Sequence, residues 1–135
     1  MTDVPNGQSL GPGIYSIAGS HTSPRALETR GTVREYVIPG TEITDKATFL
    51  AVVASVLESP EYCGKNWDAL LDCLRDMAWP PADTYVLVLR DADRTRGACP
   101  DHLETFVDIV RSAIEFHAAH SQAMFLILED DTRSE

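Results

Sequence analysis

The chain has 135 residues, of which 44% are hydrophobic, and it carries 21 acidic side chains against 11 basic ones. A chain of this size is expected to form one globular domain that buries about 65–70% of its unfolded surface. The formal net charge of -10 disfavours direct binding to nucleic acid or to an anionic membrane, and it favours a basic partner.

The first 30 residues are predicted to be an N-terminal extension that is partly disordered. Residues 1–12 are rich in Pro, Gly and polar side chains, whereas residues 13–17 fit a short edge strand. Ser23 followed by Pro24 is typical of a helix start, which predicts one or two helical turns over residues 25–30. We read neither a signal peptide nor an apolar run long enough to span a membrane, and we expect a cytoplasmic protein.

The first regular strand is predicted over residues 33–38, and Pro39 with Gly40 ends it. Thr44 is the predicted N-cap of the next helix, with Asp45 in its first turn. Apolar residues at helical spacing continue this helix to about Glu58. That stripe consists of Phe49, Leu50, Val53, Val56 and Leu57.

Residues 59–79 carry the most distinctive pattern in the chain. Pro60 and Gly64 predict a turn, and a short helix is expected to begin near Asn66. One face of this helix is apolar, because four large side chains recur at positions i, i+3, i+4 and i+7. These side chains are Trp67, Leu70, Leu71 and Leu74.

A different face of the same helix is acidic. Asp68, Asp72 and Asp76 follow one another at intervals of four residues, and only Arg75 sits beside them. Each like-charged pair at this spacing costs roughly 0.2–0.5 kcal/mol of helix stability. We therefore interpret the acidic face as a surface that serves a partner.

The second half of the chain predicts two buried strands and a long helix. Residues 85–89 and 124–128 are continuous apolar runs, as expected of strands buried on both faces. The helix is predicted over residues 101–120, where Asp101 and Glu104 form a capping pair. Strands that alternate with helices indicate an α/β fold with a small parallel sheet, and residues 130–135 form a charged tail.

Three cysteines, Cys63, Cys73 and Cys99, occur without a CxxC pair. This odd number predicts no disulfide framework and favours a reducing compartment. It also provides no thiolate metal site. We expect Cys73 to be a reduced, small packing residue.

Eleven residues of the central stretch form a pattern with fixed spacing: Pro60, Glu61, Tyr62, Gly64, Asn66, Asp68, Ala69, Leu70, Asp72, Cys73 and Leu74. This pattern resembles the core of the barstar family, the intracellular inhibitors of barnase-type ribonucleases. The resemblance extends more loosely over residues 33–129, and it places a barstar-like domain at residues 31–129.

The resemblance implies a parallel sheet of about three strands with helices packed over it. It also implies a surface that plugs the ribonuclease active site, with carboxylates standing where RNA phosphates would bind. Asp72 would be the central anchor and Asp68 its neighbour, with Leu71 and Arg75 at the border. The partner-binding residues would be Tyr62, Gly64, Asn66, Trp67, Asp68, Leu71, Asp72 and Arg75.

The chain departs from the family pattern around this surface. Leu71 and Met77 stand where barstar has tryptophans, and Arg75 replaces a threonine. Phe116 and His120 occupy positions of the last helix where barstar uses acids. The resemblance therefore implies a ribonuclease of the barnase or a related guanyl-preferring class, which need not be barnase itself.

Two other functions remain open. Asp91 and Asp93 follow a strand in a pattern close to the DxDxT signature of Mg²⁺-dependent phosphatases, although Arg90 interrupts the junction and the chain lacks room for the remaining motifs. Alternatively, the same fold could bind a partner that is not a ribonuclease. The histidines show no metal-binding spacing, and His117 fits a core position, so we expect no cofactor and no enzyme activity.

Overall fold

The computed structural model describes residues 2–3, 11–18, 27, 29, 31–58, 61–76 and 82–130. No helix in these ranges is both long and apolar enough to cross a membrane. The strands are β1 (Thr2–Asp3), β2 (Gly13–Ala18), β3 (Val33–Pro39), β4 (Thr84–Arg90) and β5 (Ala123–Asp130). The helices are α1 (Lys46–Val56), α2 (Trp67–Asp76), α3 (Ala92–Ala98) and α4 (Pro100–Ala118), and single 3-10 turns form at Gly40–Glu42 and Glu61–Gly64.

The described strands form one parallel sheet in the order β1-β2-β5-β4-β3. The α/β class with a parallel sheet is therefore confirmed. The sheet is wider than the predicted three strands, because β2 from the N-terminal extension pairs with β5 from Gly13 opposite Phe125 to Ala18 opposite Asp130. The two-residue strand β1 then pairs with β2.

The two central strands are buried on both faces, as their apolar sequences predict. On one face Leu87 and Leu126 pack against the helices, where Phe49 of α1 meets Phe106 of α4. The opposite face forms a second apolar cluster to which the extension contributes Leu27. The helical turns predicted over residues 25–30 lie mostly outside the described residues.

The starts of two helices differ from the predictions. The N-cap of α1 is Asp45 and not the predicted Thr44. The Asp45 carboxylate accepts a hydrogen bond from the Thr48 N–H at 2.9 Å, and the Thr48 hydroxyl accepts one from the Asp45 N–H at 3.0 Å, which together form a capping box. The backbone N–H of Thr48 lowers the pKa of Asp45. Helix α4 begins at Pro100, whose fixed backbone suits the first helical position, so the predicted capping role of Asp101 is wrong.

Helix α3 was not predicted from the sequence. It follows β4 through Asp91, which adopts a left-handed backbone conformation with a φ of 57°. Its sequence has no apolar stripe, and its buried residues are Ala92 and Thr95. The helix turns the chain from the carboxyl end of β4 towards the start of α4.

Candidate partner-binding site

Asn66 ends the loop over residues 61–66 and starts helix α2. Its side-chain oxygen accepts a hydrogen bond from the Ala69 N–H at 2.7 Å, and its carbonyl accepts one from the Leu70 N–H at 3.1 Å. A side-chain oxygen at this position satisfies one of the backbone N–H groups that the first turn leaves unpaired. Asn66 therefore fixes where the acidic helix begins.

Helix α2 buries one side against the core and exposes the other. Leu70 and Leu74 are fully buried, whereas Leu71 is half-buried. The half-buried ring of Trp67 packs edge-on against Phe49 of α1, with the ring centroids 5.3 Å apart. Trp67 thus attaches the first turn of α2 to the core, in addition to the partner contact predicted for it.

Asp68 and Asp72 lie on the exposed side of α2. Neither carboxylate makes a hydrogen bond or an ion pair with any other described residue. The third acid of the predicted face, Asp76, ends α2, but its side chain lies outside the described part of the structure. The two described carboxylates are therefore open to a partner.

Arg75 does not neutralise these carboxylates. Its guanidinium donates a hydrogen bond from Nη2 to the Ser112 hydroxyl of α4 at 2.6 Å, and its buried Nε has no acceptor in the described part of the structure. The half-buried side chain thus joins α2 to α4. Its predicted place at the border of the partner surface remains a prediction.

Helix α4 also supports the end of α2 through His117. This histidine is fully buried, and its Nε2 donates to the Leu74 carbonyl at 2.7 Å. Its Nδ1 lies 3.3 Å from the Gln122 side-chain oxygen, while the Gln122 amide donates to the Ala82 carbonyl at 3.1 Å. The prediction of a satisfied core histidine is confirmed.

The prediction of unpaired cysteines is wrong for two of the three. Cys63 in the 61–66 loop forms a disulfide with Cys73 of α2, and only Cys99 is a free thiol. Cys63 and Cys73 are buried in a small cluster with Ala54 of α1. Because these two cysteines are bonded, the cysteines no longer support a reducing compartment.

The 61–66 loop presents Tyr62 beside the disulfide. The Tyr62 side chain is 50% exposed, and its carbonyl accepts a hydrogen bond from the Lys65 N–H at 3.2 Å. Gly64 lies close to α1, since a Cβ added there would be 3.4 Å from the Ala54 Cβ. An exposed phenol therefore stands at the base of a helix with two open carboxylates.

Comparison with known families shows which family the chain belongs to. The family model described as barstar (barnase inhibitor) matches residues 33–129, which is more than half of the chain. The chain belongs to the barstar family. A search of curated proteins finds no match. The matched range runs from the first residue of β3 into β5, so the family model does not include β1 and β2.

In this barstar-family chain the two described acids at the end of β5 are paired with arginines. Glu129 pairs with Arg90 at 3.3 Å, and Asp130 pairs with Arg96 at 3.4 Å. No group of three metal-binding side chains occurs within the described ranges.

A cavity of about 450 Å³ lies on α4, bordered by α3 and the end of β5. Its basic side chains already have acidic partners, because Arg96 pairs with Asp130 and Arg111 pairs with Asp108 at 3.0 Å. Among the described residues the cavity therefore offers no unpaired cation to an anionic ligand. The open carboxylates of the candidate site lie on α2 instead.

Replacing Asn66 with alanine should destabilise the free protein by about 1 kcal/mol, because the first turn of α2 would lose its cap. Urea unfolding followed by fluorescence measures this change. Asn66→Asp is the matched control, since a carboxylate oxygen can accept the same hydrogen bond from the Ala69 N–H. Equal losses in both variants would contradict the capping role.

Proposed function

We propose that this chain binds and inhibits a secreted or toxin-type ribonuclease of the barnase or a related guanyl-preferring class. The observation that supports this most directly is the pair of exposed carboxylates of Asp68 and Asp72, which have no partner among the described residues and lie on a helix that packs against the core. Membership of a family described as barnase inhibitors supports the same class of partner.

The proposed mechanism is occlusion and includes no chemical step on the chain. A ribonuclease active site holds RNA phosphates with Arg, Lys and His side chains, and carboxylates on a rigid helix can bind the same cations. Because α2 is already fixed by Trp67, His117 and Arg75, little conformational freedom is lost on binding. Tyr62 and Leu71 would then exclude water around the two acids. The chain would act as an inhibitor and not as an enzyme, and it would need no cofactor.

Net charge supports the encounter step. A formal charge of -10 attracts a basic enzyme, and such attraction raises association rates and weakens with added salt. We place the protein inside the producing cell, where it would block the ribonuclease before export. The predicted cytoplasmic location no longer has the support of unpaired cysteines.

Titration of a panel of microbial guanyl-preferring ribonucleases with the purified chain tests this function. At enzyme concentrations well above the dissociation constant, we expect RNA cleavage by at least one enzyme to fall linearly and to stop near one inhibitor per enzyme. Absence of inhibition across the panel at large excess would instead favour a barstar-fold module with another partner. A pull-down that recovers no small basic ribonuclease would point the same way.

Replacing both Asp91 and Asp93 with asparagine should leave inhibition unchanged within about twofold. This follows because Asp91 lies between β4 and α3 and Asp93 lies in the first turn of α3, so neither is on α2. Phosphatase assays with Mg²⁺ on wild type and variant provide the second readout. Hydrolysis of a phosphate ester by the wild type that disappears in the variant would overturn the inhibitor assignment.

A further inference from the structure

The disulfide between Cys63 and Cys73 lies inside the proposed partner-binding surface. Cys63 stands between Tyr62 and Gly64, and Cys73 directly follows Asp72. The bond joins two positions ten residues apart, so it ties the 61–66 loop to the middle of α2. Both ends of the bond are therefore flanked by residues proposed to contact the partner.

The other described contacts of this loop lie at its end and against α1. Asn66 accepts hydrogen bonds from the Ala69 and Leu70 N–H groups, and Gly64 lies close to Ala54. Tyr62 is half exposed, and its carbonyl accepts only the local bond from the Lys65 N–H in the described part of the structure. The loop is anchored by Cys63, which is 0% exposed and packs with Cys73 and Ala54 in a cluster separate from the main core. The disulfide therefore links the part of the loop next to Tyr62 to the middle of α2, beyond the cap that Asn66 makes at the start of the helix.

We propose that this disulfide positions the 61–66 loop on α2 before the partner arrives, so that the oxidised chain binds its partner more tightly than the reduced chain. This inference rests on the function proposed above. A loop that is already ordered loses less conformational entropy when it is bound. The bond thus acts on affinity through the placement of Tyr62 relative to Asp72.

The reduced form arises by thiol–disulfide exchange with a small dithiol. A reductant thiolate attacks one cysteine sulfur to give a mixed disulfide and a cysteine thiolate, and the second reductant thiolate then displaces the other cysteine. The chain gains two electrons and two protons as thiols, and the reductant becomes a cyclic disulfide. Burial of both sulfurs means that the loop must open locally before attack.

Cys99 does not take part in this exchange. It is buried in the main core at the start of α4, whereas the disulfide lies in its own cluster. Burial raises the pKa of the Cys99 thiol, with a smaller contribution from Asp45, and thus lowers its thiolate fraction. Cys99→Ala is therefore a suitable background for the hydrogen-exchange and binding measurements, whereas the alkylation count uses the chain with Cys99 intact.

Alkylation in denaturant first establishes the bond in the purified oxidised chain. We expect one alkyl group per chain before reduction, on Cys99, and three after it. Hydrogen exchange of the free chain then tests positioning without a partner. Amides of residues 62–65 should exchange at least about tenfold faster in the reduced chain and in the Cys63→Ala, Cys73→Ala variant.

Val110→Ala is the matched control because it lowers global stability from a buried site of α4 without cutting the link to the loop. It should leave exchange of residues 62–65 unchanged under native conditions. Binding is then measured by surface plasmon resonance against a ribonuclease that the chain inhibits. The double cysteine variant should bind about 10- to 100-fold more weakly, mainly because it dissociates faster, whereas Val110→Ala should bind as the wild type does.

Partner binding should also slow reduction by a dithiol, because coupling between two equilibria is reciprocal. Three alkyl groups before reduction, or equal loop exchange and equal affinity in both redox forms, would overturn the inference. A different outcome separates this inference from the proposed function. If hydrogen exchange of the loop is faster without the disulfide but the chain inhibits no ribonuclease, the positioning role is supported and the proposed function is contradicted.

Discussion

Asp72→Ala is expected to weaken binding to the cognate ribonuclease by about 30- to several-thousand-fold. The Asp72 carboxylate is exposed and unpaired among the described residues, and it follows Asp68 by one helical turn on α2. Its removal would leave cations of the enzyme buried without a partner, which costs roughly 2–5 kcal/mol of binding free energy. Measurements on the barnase–barstar complex are among those from which this range is taken. Surface plasmon resonance should place most of the loss in the dissociation rate.

The free protein should not be destabilised by this change. Loss of like-charge repulsion between Asp68 and Asp72 should leave Asp72→Ala within about 0.5 kcal/mol of wild type in urea unfolding. Glu104→Ala is the matched control, because it removes one negative charge from an exposed position of α4 away from α2. Wild-type affinity in Asp72→Ala, or a loss explained by unfolding alone, would refute the proposed binding surface.

His117→Ala is expected to destabilise the free protein by about 2–4 kcal/mol. The change would create a cavity beneath α2 and would leave the Leu74 carbonyl without its donor at 2.7 Å. Chemical unfolding of the purified variant measures the loss. Because His117 supports the last turn of α2, affinity for the ribonuclease should fall as well, through misplacement of the acidic face.

His120→Ala provides the comparison for this variant. His120 lies one turn further along the chain, is exposed and stacks on Phe116 with ring centroids 4.4 Å apart. Its replacement should cost about 1 kcal/mol or less. If His117→Ala were as stable as His120→Ala, the contact between α4 and the end of α2 would not be important for the fold.

Elements with strong periodicity could be predicted from the sequence. The apolar runs of β4 and β5 require burial on both faces, and the apolar stripes of α1 and α4 fit one side of a helix. In these elements the tertiary packing agrees with the pattern of apolar residues in the sequence. Helix α3 has no such signal, because only Ala92 and Thr95 are buried and the adjoining residues are polar. Its position is set by the left-handed turn at Asp91 and by packing against its neighbours.

Part of the geometry of the candidate site could be predicted from the sequence. The spacing of Asp68 and Asp72 follows from helix geometry alone, so their shared exposed side could be anticipated. The partners of Arg75 and Cys63 could not be predicted, because each partner lies on another element. Ser112 is 37 residues away from Arg75, and Cys73 contacts Cys63 only once the loop has folded against α2. Tertiary contacts of this kind leave no local pattern.

The pairing of β2 with β5 constrains how the chain folds. Tyr15 lies opposite Ile127, so one of the earliest strands finds its neighbour among the last residues of the sheet. Strands β3 and β4 can pair sooner, but β4 stays without its second neighbour until residues 123–130 have been synthesised. During translation the apolar edge of β4 is therefore uncovered until β5 has emerged from the ribosome, and contacts so distant in sequence form slowly. Chaperone demand should thus be greatest between the emergence of β4 and that of β5.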